Sequence, residues 1–161
     1  MAFGAVVESK VSVTELLTDV YLNSNSSVLH NGMNTTLSLN AGTSVPVTKV
    51  ASFQLTLSSG TGTIDFRALP STNGALLDGN GLKVQVMKLR NKSTNANSIT
   101  VVPGASNGID LFGASSRVVL LPGQECLMTF NDAAPDVSAT DKTLDVTGTG
   151  SQILECIFVL G

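Results

Sequence analysis

Residues 152–160 read Gln-Ile-Leu-Glu-Cys-Ile-Phe-Val-Leu. In an extended chain successive side chains point to opposite faces. Leu154, Cys156, Phe158 and Leu160 therefore share one face, and Ile153, Ile157 and Val159 share the other with Glu155. A strand that is apolar on both faces is either central in its sheet or covered by something outside it.

Working back along the chain, the same period of two recurs in short runs. Thr35–Leu39 alternates and stops at Asn40-Ala41-Gly42. The run 45–57 alternates Val, Thr and Phe, and Pro46 near its start marks an edge strand or a strand entry. Ser58-Ser59-Gly60 turns the chain toward a short strand over 61–66. In the strand expected at 82–90, Leu82, Val84 and Val86 take one face with Lys83 and Gln85 opposite, until Met87 and Leu89 make the second face apolar too. Segments 98–102, 116–121, 124–130 and 143–146 complete the set. Pro122-Gly123 fits the centre of a type II turn, because Pro presets a negative φ and Gly supplies the positive one. That turn is expected to join 116–121 and 124–130 as a hairpin.

Eight or more short strands between frequent turns predict an all-β protein, an antiparallel β-sandwich or jelly-roll-like barrel with an extended N-terminal arm. The division expected is an arm or irregular segment over 1–34 and a sandwich domain over 35–161. In the first segment Val11, Val13, Leu16, Leu17 and Val20 mix spacings of two and four, and Asn23–Asn34 is polar and turn-rich. These five residues, with Ile153, Ile157 and Val159 on the second face of the last strand, are the expected partner interface.

Composition narrows the function. Of the 161 residues only 13% are charged, about half the usual share. Chains that work alone keep charge on their surfaces for solubility, so a weakly charged surface fits a protein covered by neighbours. The nine basic residues are scattered, aromatics are 4% and Trp is absent, which argues against direct nucleic-acid binding. No apolar run has the length that spans a bilayer, and the N-terminus lacks a secretory pattern, since Glu8 and Lys10 interrupt it. Neither a membrane nor a cofactor is expected, and the Asn-x-Ser/Thr matches at Asn25, Asn34 and Asn91 read as chance in an Asn/Ser/Thr-rich chain.

No set of residues announces catalysis, and an enzyme is not expected. His30, the one histidine, lies in a polar stretch with no carboxylate near it in sequence. Cys-x-x-Cys and His-x-x-x-His are both missing from the sequence. Asp78-Gly79-Asn80-Gly81 reads better as a turn than as a calcium loop, lacking the acidic ligand that closes such a loop. Asp132, Asp136 and Asp141 fall in one loop, where solvated carboxylates are the simpler reading than a cation site. Cys126 and Cys156 each sit in an apolar run and read as buried thiols, with a disulfide open only to neighbouring strands.

From about residue 76 onward the chain resembles small structural proteins of tailed bacteriophages. The likeness lies in an order of motifs: Leu77-Asp78-Gly79 before a strand, the loop Ser93-Thr94-Asn95-Ala96-Asn97, and the turn Gly104-Ala105-Ser106-Asn107-Gly108 leading into Leu111-Phe112. Val118-Val119-Leu120-Leu121-Pro122-Gly123 and a final Gly148-Thr149-Gly150-Ser151 before the last strand complete it. The resemblance implies a capsid cement or decoration protein, assembled in the host cytoplasm and placed on the outer capsid surface of the virion. Its implied partners are the major capsid protein and further copies of itself as a homotrimer. A tail, fibre or adaptor module that binds a host surface glycan is the alternative, weakened by the scarcity of aromatics that stack on sugars.

Overall fold

A computed structural model describes residues 4–18, 25–32, 34–44, 46–71, 74–113 and 115–161, with the side chains of 17, 18, 25 and 26 left undescribed. The expected interface residue Val20 lies outside the described residues, and so does the side chain of Leu17. Among the described residues all regular structure is β. The strands are β1 (Gly4–Ser9), β2 (Val13–Thr18), β3 (Asn25–His30), β4 (Thr35–Asn40), β5 (Lys49–Thr56), β6 (Thr61–Asp65) and β7 (Leu69–Pro70). They continue with β8 (Leu76–Leu77), β9 (Val84–Asn91), β10 (Ile99–Pro103), β11 (Val118–Leu120), β12 (Glu125–Thr129), β13 (Thr143–Thr147) and β14 (Ile153–Leu160).

Eight of these strands make two four-stranded sheets, β12-β9-β14-β5 and β11-β10-β13-β6. The pairing is nested and antiparallel. Among the sandwich strands the first pairs the last (β5 with β14), the second the next to last (β6 with β13), and so inward through β9 with β12 to β10 with β11. One long hairpin rolled over itself gives this order, so the protein is a jelly roll, a β-sandwich with an antiparallel core.

The inner faces supply the core. Leu154, Cys156, Phe158 and Leu160 of β14 bury against Met87, Leu89, Ile99, Val101, Leu144 and Val146. Phe66 meets Phe158 edge to face, with centroids 5.0 Å apart, a geometry that suits the ring quadrupoles. β14 is central, between β9 and β5, and β5 is an edge strand that begins three residues after Pro46, consistent with either reading of that proline.

Three expectations need correction. Segments 116–121 and 124–130 are not a hairpin: β11 joins one sheet and β12 the other. The turn between them does form, with the Gln124 amide donating to Leu121 O at 2.9 Å and Gly123 at φ 81°, but it carries the chain across the sandwich. Alternation in β9 is broken by a register shift opposite Val159/Leu160. Val84 pairs Leu160 while Val86 pairs Val159, so one extra residue puts Val84 inside with Met87 and Leu89 and turns Val86 outward. Finally, the polar stretch 23–34, whose turn-rich composition reads as a loop or an extended connection, contains a strand, β3.

Cys126 and Cys156 are both free. Each pairs with Leu89 from opposite sides of β9, which separates their strands by about 10 Å, beyond the reach of a disulfide.

Candidate functional site

Four strands form a long two-stranded ribbon in which β1 pairs β4 and β2 pairs β3. Thr35–Asn40 therefore belongs with the ribbon, six residues past the division expected after residue 34. The ribbon has a root and a distal half, and their burial differs.

At the root, Ala5, Val7, Leu37 and Leu39 share one face by register. Ala5, Val7 and Leu39 pack on Val47, Val50, Val86 and Val159, which lie on the outer face of the β12-β9-β14-β5 sheet or beside it. The second apolar face of β14 is thus partly explained within the chain: Val159 is buried beneath the ribbon root. Ile153 is half-buried, and Ile157 remains 41% exposed.

The distal half has no cover. Register places Val13, Glu15, Val28 and His30 on one face, and Thr14, Leu16, Ser27 and Leu29 on the other. Val13 is 51% exposed, Leu16 67% and Leu29 57%, and Val11, between β1 and β2, is exposed as well. Large apolar side chains thus face solvent on both sides of a ribbon that is two strands wide. His30 sits on β3 and has a carboxylate partner after all: its Nε2 lies 3.1 Å from Oε2 of Glu15 on the facing strand. Where β1 and β4 give way to β2 and β3, the Val11 amide donates to Asn34 Oδ1 at 3.0 Å, so one side chain bridges the irregular step.

Beside the buried root, the outer sheet face is a cross-strand ladder. Ile157 stands opposite Lys88, which stands opposite Leu127. In the next row Arg90 Nε donates to Glu155 Oε2 at 2.5 Å and Gln54 Nε2 donates to Glu155 Oε1 at 3.1 Å. The Arg90 hydrogen bond, helped by the charge of that guanidinium, holds the Glu155 carboxyl below its ordinary value. Lys88 Nζ reaches Glu125 Oε1 at 3.2 Å. A groove of about 460 Å³ runs over this face, lined by Phe53, Lys88, Arg90, Glu125 and Ile157 among others.

A second, larger concavity of about 750 Å³ lies between the ribbon segment Leu37–Ser44 and the loop after β12. Its lysine is committed: Lys83 Nζ donates to Ala134 O at 2.6 Å and pairs with Asp136 at 2.8 Å. The loop carboxylates do not converge. Asp132 accepts from Ser44, Asp136 holds Lys83, and Asp141 accepts from Ser138 and Thr140. Among the described residues no three His, Cys, Asp or Glu side chains gather as a metal site. At Asp78 the carboxylate accepts from the Asn80 amide at 2.9 Å and pairs with Arg67, and the Leu82 amide closes a turn on Gly79 O at 2.9 Å.

Asn91, a chance glycosylation match by sequence, is fully buried. Its Nδ2 donates to Asn97 O at 3.0 Å and Leu120 O at 2.8 Å, and its Oδ1 accepts from Asn95 at 2.5 Å. That network pins the β9–β10 loop across both sheets.

The fold and its surfaces define a class: an antiparallel jelly roll carrying a β-ribbon arm whose distal half exposes apolar side chains on both faces. No protein-family model, curated protein or solved structure matches the chain.

Proposed function

We propose that the protein is a capsid cement protein, a structural virion component that oligomerises and stabilises a phage head by bridging capsid subunits through its ribbon. One observation carries the reading: Val11, Val13, Leu16, Val28 and Leu29 stand in solvent on a ribbon that has no third strand among the described residues. A lone two-stranded ribbon is marginally stable in water, and apolar residues clustered in this way mark interaction sites. Covering these five side chains contributes roughly 1 kcal/mol each at their partial exposure. The same weak contact repeated over a lattice gives tight attachment.

Low charge and the resemblance of the C-terminal half to phage structural proteins support the same reading. A jelly roll alone decides nothing, because one fold serves many functions. The reading needs no catalytic group and no cofactor.

The test is binding to expanded, DNA-emptied heads of the virus whose genome encodes the chain. The protein is expected to co-sediment with heads and raise the temperature at which they rupture, and Leu16→Asp with Leu29→Asp is expected to abolish both effects while leaving the sandwich folded. Heads that neither bind the protein nor gain heat resistance refute the proposal. Saturable glycan binding in that same outcome would support a tail or adaptor module instead.

A further inference from the structure

We infer that Asn31-Gly32, in the connection between β3 and β4, is a modification site, where Asn31 loses its side-chain amide to water and becomes aspartate or isoaspartate. The inference is independent of the assembly reading above, because the chemistry uses only this chain and water.

The chain holds four Asn-Gly pairs: Asn31-Gly32, Asn73-Gly74, Asn80-Gly81 and Asn107-Gly108. Asn73 lies outside the described residues. In each pair the same reaction is open in principle. The glycine nitrogen attacks the asparagine Cγ and closes an imide ring. The bond formed is that from nitrogen to Cγ, and the bond broken is Cγ–Nδ2. The side-chain nitrogen leaves as ammonia with the proton that the glycine nitrogen gives up. Water then opens the ring at one of its two carbonyls, and nothing is oxidised or reduced. Glycine favours the attack because no Cβ crowds its nitrogen.

The fold separates the three described pairs. The ring closes only when the peptide plane between the two residues turns its nitrogen toward Cγ, so whatever holds that plane holds back the reaction. At Asn80 the Gly81 amide donates to Val137 O at 2.8 Å, and the Asn80 amide donates to Asp78 Oδ1 at 2.9 Å. At Asn107 the main-chain oxygen accepts from the amides of Lys142 at 2.8 Å and Thr143 at 2.9 Å. Gly108 also packs so closely on Gly104 that an added Cβ would lie 2.2 Å from Gly104 O. At Asn31 both residues are exposed, and a Cβ on Gly32 would meet nothing within 4 Å. Among the described residues neither the Gly32 amide nor the Asn31 side chain makes a hydrogen bond, and the one hold on the plane is Asn34 Nδ2, an exposed side chain that donates to Asn31 O at 2.9 Å.

The site stands at a joint. Asn34 is the residue whose Oδ1 accepts from the Val11 amide at 3.0 Å, where the root gives way to the distal half. Opening the imide at its main-chain carbonyl sends the chain through Cγ. The backbone gains one carbon, and Asn31 O becomes part of a free carboxylate. Either opening adds a negative charge. The modification therefore alters the segment that sets how the distal half follows the root.

The test holds the folded, full-length protein in warm, mildly alkaline buffer over days. Samples are digested in acid and read by mass spectrometry for the gain that replaces NH2 by OH, and labelling with an isoaspartate methyltransferase marks the rearranged product. Asn31 is expected to convert at least about tenfold faster than Asn80 and Asn107, the factor for about one backbone hydrogen bond broken on the way to the ring. In urea the three rates are expected to converge. Gly32→Ala is expected to slow conversion at Asn31 by about tenfold or more, with folding checked by circular dichroism. Equal rates at the three asparagines in the folded protein, rates that stay apart in urea, or a folded Gly32→Ala variant that converts as wild type does each overturn the inference.

Discussion

Replacing Asn91 by Ala tests whether the buried amide network holds the two sheets together. The side chain is fully buried and makes three hydrogen bonds, at 3.0, 2.8 and 2.5 Å. Each such bond has a net worth of about 1 kcal/mol, and a buried acceptor left without a donor costs about 1–3 kcal/mol more. Leu120 O and Asn97 O lose this donor, although Asn97 O keeps another from Gln152 Nε2 at 2.5 Å. The expected loss is about 3–5 kcal/mol, out of a total of about 5–15 kcal/mol for a typical domain. Urea unfolding followed by circular dichroism reads it as a lower midpoint at unchanged slope, with a thermal midpoint roughly 10 °C lower. Asn91→Asp discriminates further. A carboxylate here would face two carbonyl oxygens, which raises its folded value above the unfolded one, so the variant is expected to be more stable in acid and to lose stability as pH rises through that folded value. A loss under about 1 kcal/mol for Asn91→Ala would show that water or a shifted loop replaces the network, and the argument would fail.

Acid titration gives a second check. Arg90 lowers the Glu155 carboxyl, and Arg67, with the Asn80 amide, lowers that of Asp78. Stability from both is fully present above the unfolded carboxylate values and is lost as pH falls through the lowered folded ones. Urea midpoints from about pH 7 to about pH 3 are expected to fall less steeply for Glu155→Gln than for wild type. At Gly108 an added Cβ would lie 2.2 Å from Gly104 O; Gly108→Ala is expected to cost about 2 kcal/mol or more, whereas Gly32→Ala, with nothing within 4 Å, stays within about 0.5 kcal/mol, both read by thermal unfolding. Burial pushes the Cys156 thiol up, and it raises that of the half-buried Cys126 as well. Alkylation followed by mass spectrometry is expected to mark Cys126 first and Cys156 only on unfolding, and equal native rates would contradict the packing.

The sandwich was legible because its strands have one wet face and one dry face. At 45–57 that asymmetry writes itself as alternation, the run at 152–160, apolar on both faces, marks a central strand, and turn residues such as Pro122-Gly123 mark the corners. Partner choice leaves no such trace. Nothing in the alternation of 116–121 and 124–130 says that the strands join opposite sheets. The extra residue in β9 was visible only as an unexplained change of phase after Val86. The ribbon was hidden for the opposite reason: with solvent on both faces of β2 and β3, no burial imposes a period of two on Ser26-Ser27-Val28-Leu29-His30. Of the expected interface residues whose side chains are described, Val11, Val13, Leu16 and Ile157 are exposed, Ile153 is half-buried and Val159 lies under the root. The Arg90–Glu155 pair joins residues 65 positions apart, and the Asn91 network joins loops from both sheets. Both depend on topology, which composition and spacing do not encode.

Rooted at one end and exposed beyond it, the ribbon also acts as a ruler. From the Val7–Leu37 rung to the Leu16–Ser27 rung it spans roughly 30 Å at about 3.3 Å per residue. On the bridging role proposed above, only neighbours whose surfaces fall within that radius of the root could be reached, so the length of the ribbon would select the spacing between them. Inserting or removing two residues on each strand preserves which side chains share a face while changing the reach by about 7 Å.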